Sequence, residues 1–114
     1  MNSNKGFTNK ELEQLAMRFK ILSEPSRLKI LRSMFNGEKC VNEITKSTKL
    51  MQANVSKQLK LMEENGIVKC RPSGLQRFYH ITDKKIIWIC QQLCPSHNMN
   101  NPLSNDNQQD ICSE

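Results

Sequence analysis

The 114-residue sequence predicts a mainly α domain that carries one small β-hairpin. Three observations point there. Apolar residues recur at helical spacing in successive stretches up to Gly66. Two β-rich runs follow, bridged by Pro72, Ser73, Gly74 and Leu75, and one more apolar helix runs up to Pro95.

Thr8 and Glu11 have the spacing of a capping box, in which each side chain bonds the other's backbone amide. Leu12, Leu15, Phe19 and Leu22, with Ala16, then mark one face of a first helix over about 9–22. A second helix starts at Ser23 or Glu24 with Pro25 in its first turn; it is expected to bury Leu28, Leu31, Met34 and Phe35 and to end at Asn36-Gly37. CVNEITKST is a short third helix. A fourth spans about 52–64, with Val55, Leu59 and Met62 inward and Asn65-Gly66 closing it. IVKCR and QRFYHI are the hairpin strands, and Gly74 can supply the positive φ that the turn needs. Thr82 or Asp83 caps the last helix, KKIIWICQQLC. Residues 1–94 therefore form one domain. The Asn-rich remainder, 95–114, is nearly free of apolar residues and is expected to be a disordered tail.

All 17 basic residues lie at or before Lys85; with eight acidic residues up to Cys94, that part carries +9, and the remainder carries −3. Such a field suits a polyanion, nucleic acid or an anionic membrane, although a solvated basic surface would look the same. No stretch reaches the ~20 apolar residues of a membrane helix, and the first ten residues lack a signal-peptide core. A cytoplasmic protein with no membrane partner is expected. The five cysteines are odd in number and form no C-x-x-C pair, which argues for reduced thiols rather than a disulfide framework or a ribbon-type zinc site. A core this small favours dimerisation. No enzyme is expected: the four glycines are too scattered for a phosphate loop, and the two histidines lack H-E-x-x-H spacing.

Helix, helix, short helix, helix and basic hairpin is the order of a winged helix-turn-helix, whose second turn-unit helix lies in the DNA major groove. The fourth helix opens with Gln52, Ala53 and Asn54, where Asp or Glu would better suit its dipole. Amide side chains can bond an adenine edge and a small Ala permits close approach, so this turn suits base reading; a carboxylate there would be repelled by phosphate. Lys57, Lys60, Arg71 and Arg77 can neutralise phosphates, although each alone is more often a solvated charge.

LSEPSRLKIL, GEKCVNEI, QANVSKQLKLMEENGIV and GLQRFYHITD, in that order, resemble the ArsR/SmtB family of small winged-helix metalloregulators across about residues 12–94. The resemblance implies a homodimer built on the first and last helices, repressing an operon from its double-stranded operator until an inducer weakens binding. It adds Ser56 as a phosphate-facing hydroxyl, although a mid-helix Ser can instead bond its own backbone. Gln76 in the wing either reaches the minor groove or is ordinary turn polarity. The chain departs from the family in having Met51 where a Ser cap is usual and Gln58 where His is usual; Gln58 is still expected among the DNA contacts, and both changes leave the operator sequence open. The family's cysteine pair is reduced to Cys40, with Asn42 in the second place. Its metal site on the last helix is not intact either, because Asp83 is followed by Lys85, Ser96 and Met99.

Cys90 and Cys94 stand one turn apart on the last helix, whose Ile86, Ile87 and Leu93 the resemblance assigns to a dimer seam. Cys90 alone would pass as a small packed hydrophobe. Together the pair can hold a thiophilic ion such as arsenite, antimonite, cadmium or lead, with Cys112 or Cys40 as third ligand. Cys40 occupies a capping-box position at a helix start, which favours a reactive thiol but fits equally a simple substitute for a Ser cap. No tightly bound cofactor is expected. Sensing of oxidants or persulfides through the thiols is the alternative, as is a winged-helix module with no inducer, serving protein or RNA contacts.

Overall fold

The computed structural model describes residues 6–94, which fall into two compact units dividing between Thr82 and Asp83. The first unit contains α1 (Asn9–Leu22), α2 (Pro25–Ser33), β1 (Lys39–Cys40), α3 (Val41–Thr48), α4 (Gln52–Glu64), β2 (Val68–Ser73) and β3 (Gln76–Ile81); the second contains α5 (Lys84–Leu93). None of these helices is long and apolar enough to cross a membrane. The tail 95–114, and with it Cys112, lies outside the described residues.

Thr8 caps α1 as expected, its Oγ1 accepting from the Glu11 amide at 3.1 Å while Glu11 Oε1 accepts from the Thr8 amide at 2.9 Å. Only Ile21 of this helix is buried; Leu12, Leu15 and Phe19 are 47%, 39% and 46% exposed. In α2, capped by Glu24, the inward stripe differs from the expected one. Ile30, Leu31 and Met34 are buried, whereas Leu28 is exposed and Phe35 is half-buried. The inward positions are 27, 30, 31 and 34, at the i, i+3, i+4, i+7 spacing of one helix face, so that Arg27 and not Leu28 starts the stripe.

Ile44 of α3 and Val55, Leu59 and Met62 of α4 are fully buried and, with Ile30 and Leu31, make the core against which the turn unit packs. Lys49 closes α3 in the left-handed region, with φ 62°, and the short link to Met51 starts α4. After α4, Gly66 adopts φ +75°, a turn that a side chain would strain, and the Ile67 amide returns to the Met62 carbonyl at 2.8 Å.

The sheet has the antiparallel order β1-β3-β2. The wing ladder runs further than the sequence suggests, to Pro72 opposite Arg77 and Ser73 opposite Gln76, so that Gly74 and Leu75 alone form the turn. Pro72 is tolerated because β2 is an edge strand and its missing N–H interrupts no second ladder. Strand β1, which the sequence does not signal, pairs Lys39 with Tyr79 and Cys40 with Phe78, and so ties the start of α3 to the base of the wing.

Candidate nucleic-acid interface

With Val55, Leu59 and Met62 turned to the core, the opposite face of α4 carries Ala53, Ser56, Lys57 and Lys60 and, at its C-terminal end, Glu64, all exposed. Gln52 is exposed at its start. Neither lysine makes an ion pair among the described residues. Met51, the N-cap, provides no side-chain cap bond, so the first amides of α4 point outward uncapped at its positive dipole end. The Ser56 hydroxyl has no hydrogen-bond partner among the described residues, whereas Ser33 and Thr48 do bond back to their own helices. The mid-helix alternative for Ser56 is thus not taken.

A notch of about 230 Å³ separates α4 from the wing; Asn42 at the start of α3, Gln52 and Ser56 on α4, and Gln76 and Arg77 on β3 line it. These groups offer amide, hydroxyl and guanidinium donors to one shared opening.

The two wing arginines differ from the lysines in being engaged within the protein. Arg71 donates to both Glu38 carboxylate oxygens, at 3.1 and 2.6 Å, and its guanidinium lies 5.0 Å from the Phe78 ring centre. It thus reaches from the edge strand across β3 to the residue before β1. The Arg71 hydrogen bonds hold the Glu38 carboxyl below its usual range, and Glu38 in turn raises Arg71. Arg77 donates to Cys70 Sγ at 3.6 Å.

Asn54 and Gln58 are half-buried and bonded to each other, with Gln58 Nε2 donating to Asn54 Oδ1 at 3.1 Å. Gln58 Oε1 accepts from Arg27 Nε at 2.8 Å. Sequence reasoning missed both Arg27 and Glu38. Arg27 is detectable only through its place on the 27/30/31/34 stripe, while Glu38 gives no signal before the sheet is assembled.

The cysteines are dispersed. Cys40 is 7% exposed, and its amide donates to Glu43 Oε1 at 2.9 Å. Bonds from that amide and from the Cys40 thiol hold the Glu43 carboxyl low, a capping and packing role, although Cys40 also lines the floor of the notch beside Asn42. In the second unit Asp83 caps α5, and the Cys94 amide donates to the Cys90 carbonyl at 3.1 Å. Burial pushes the Cys90 thiol up, and Cys94 adds to the shift. Two sulfurs one turn apart are a soft donor pair that fits a thiophilic ion, yet no cluster of three His, Cys, Asp or Glu exists among the described residues.

A helix-turn-helix whose second helix presents a basic, base-sized outer face beside a two-stranded wing defines the winged helix-turn-helix class of DNA-binding domains. The sequence of residues 24–69 matches the family described as bacterial regulatory protein, arsR family. Among relatives, an uncharacterised HTH-type transcriptional regulator of Methanocaldococcus jannaschii is 38% identical over 85 residues, covering 71% of this chain and 96% of that one. An arsenical resistance operon repressor of Staphylococcus xylosus is 30% identical, covering 71% and 78%. Among solved structures, a transcriptional repressor of Xylella fastidiosa superposes with a TM-score of 0.64 at 31% identity, over 76% and 93% of the two chains. The chain belongs to the arsR family; it is a DNA-binding transcriptional regulator and not an enzyme.

Proposed function

We propose that this regulator is a homodimeric repressor that reads an operator with α4 and is released by a thiophilic metal ion or metalloid bound at Cys90 and Cys94. The observation that carries the DNA part is the outer face of α4, where Ala53, Ser56, Lys57 and Lys60 stand together, the lysines without internal partners. Gln52 and Asn54 reach bases from the first turn; Lys57, Lys60 and Arg77 neutralise phosphates, and Gln76 follows the wing into the flanking groove. The exposed apolar face of α1, Leu12, Leu15 and Phe19, supports self-association. The cytoplasm, where thiols stay reduced, suits the sensor.

For the inducer, arsenite, antimonite, cadmium and lead share the preference for sulfur. A third sulfur comes from Cys112 or Cys40; the burial of Cys40 favours Cys112. Release requires that the ion bind the DNA-free state more tightly, with a coupling of about 1–3 kcal/mol that operator DNA returns by weakening ion binding equally.

Two measurements test this. Purified protein should bind an inverted repeat in its own promoter more tightly than random duplex at physiological salt; equal affinity refutes operator recognition. Titration of reduced protein with arsenite, cadmium and lead should give sulfur-to-metal absorption together with release from DNA. Binding that persists in the Cys90→Ser/Cys94→Ser double variant refutes the site. Release by peroxide or persulfide and by no metal replaces it with redox sensing.

A further inference from the structure

Arg27 occupies the first inward position of α2, a place that the apolar stripe would otherwise give to a hydrophobic side chain. Its guanidinium is half-buried and makes two bonds, NH1 to the Ile21 carbonyl at 3.3 Å and Nε to Gln58 Oε1 at 2.8 Å. The second bond begins a one-way chain. An arginine has donors and no acceptor, so Gln58 must turn its carbonyl oxygen to Arg27. Its amide nitrogen then faces Asn54, which must answer with Oδ1, and that contact is made at 3.1 Å. The orientation of both amides, ordinarily a matter of choice between two nearly equivalent rotations, is therefore dictated by a residue on another helix. The Nδ2 group of Asn54, a pair of donors, is left without a bond among the described residues.

We infer that Arg27 is a positioning residue for base recognition: through Gln58 it fixes the Asn54 amide so that α4 presents a donor at its first turn. The inference rests on the DNA reading above and refines it. A donor selects base edges that carry acceptors in the major groove, namely purine N7, guanine O6 or thymine O4, and disfavours the amino group of cytosine. An Asn free to rotate would offer either end and discriminate less.

The test is selection from a randomised duplex pool with the full-length protein, followed by competition between singly substituted duplexes. The substitution Asn54→Ala identifies the position that Asn54 reads. Arg27→Met should lose preference at that same position, by roughly fivefold or more, while preferences elsewhere and the affinity for random duplex change little. Arg27→Lys, which keeps a donor, should recover part of the preference. Gln58→Met should lose the same position, and the Arg27→Met/Gln58→Met double variant should lose no more than either alone, because the two act in one chain. A folded Arg27→Met with the wild-type profile overturns the inference, as do losses at different positions or losses that add. Should Arg27→Met not fold, Gln58→Met alone decides, and an unchanged profile again overturns it. Failure of the wild-type protein to select any sequence overturns the DNA reading itself, a result visible without any variant.

Discussion

Replacement of Lys60 by Ala should change the salt dependence of DNA binding without changing sequence preference. Lys60 is exposed, stands one helical turn from Lys57 and Ser56 on the outer face of α4, and spends its charge on no acidic partner among the described residues. Each phosphate neutralised contributes about 0.9 to the slope of log K against log salt. A dimer seating two copies of α4 should thus lose about 1.8 from that slope. Between 50 and 200 mM salt this makes the variant about twelvefold less sensitive to salt than the parent. Arg71→Ala should behave differently, because its guanidinium is already held by both oxygens of Glu38. Its loss should leave both the affinity and the slope closer to the parent's than Lys60→Ala does. Fluorescence anisotropy of a labelled duplex at five or six salt concentrations measures both. An unchanged slope in Lys60→Ala would refute the assignment of this face of α4 to the phosphate backbone. A loss near 0.9 would point to a single bound copy.

Leu59→Ala, at a fully buried site on α4, should cost about 2–5 kcal/mol, a large share of the stability of a small domain, read as a lower urea midpoint. Thr8→Ala should cost about 0.5–2 kcal/mol and speed amide exchange in the first turn of α1, where the capping box is lost. Glu24, Glu38 and Glu43 are all held below the usual carboxylate value of 4.5 by hydrogen bonds, chiefly from Ser26, Arg71 and Cys40 respectively. Their stabilisation is therefore complete above about pH 4.5 and lost as pH falls through the folded-state values. Urea midpoints should decline on that acid side, and Glu38→Gln should flatten the decline. Because burial raises Cys90, cadmium affinity should increase with pH above neutrality as the thiols ionise, and this rise should be shallower in Cys90→Ser, where one ionising ligand is lost.

The parts of the fold governed by local chemistry are legible in the sequence. The capping box of α1, the limits of α4 at 52–64 and its buried positions follow from cap residues, periodicity and Asn65-Gly66. The α2 stripe is harder, because Leu28 and Phe35 are apolar and Arg27 is not; hydrophobicity alone rotates the face by one residue, and only the burial of Ile30 reveals the true one. Strand β1 has two residues, too few for any alternation to show. Of the interface, the basic outer face of α4 can be read from spacing. The engagement of Arg71 by Glu38 and of Gln58 by Arg27 spans 33 and 31 residues of chain, and such pairs exist only once the tertiary packing does. Side-chain type points to DNA contact for Asn54 and Gln58 alike, but helix rotation turns both partly inward.

The strand order β1-β3-β2 leaves β2 with a row of backbone groups that another chain could pair with. Along it lie Lys69 and Arg71, both exposed, then Pro72, which cannot donate. Two wings brought together side by side along β2 would meet the Lys69 charges and a missing hydrogen bond, so this edge is guarded against growing from one molecule to the next. An edge protected in this way leaves the self-association proposed above to helical surfaces, and keeps the wing a solitary finger for the groove contact proposed with it.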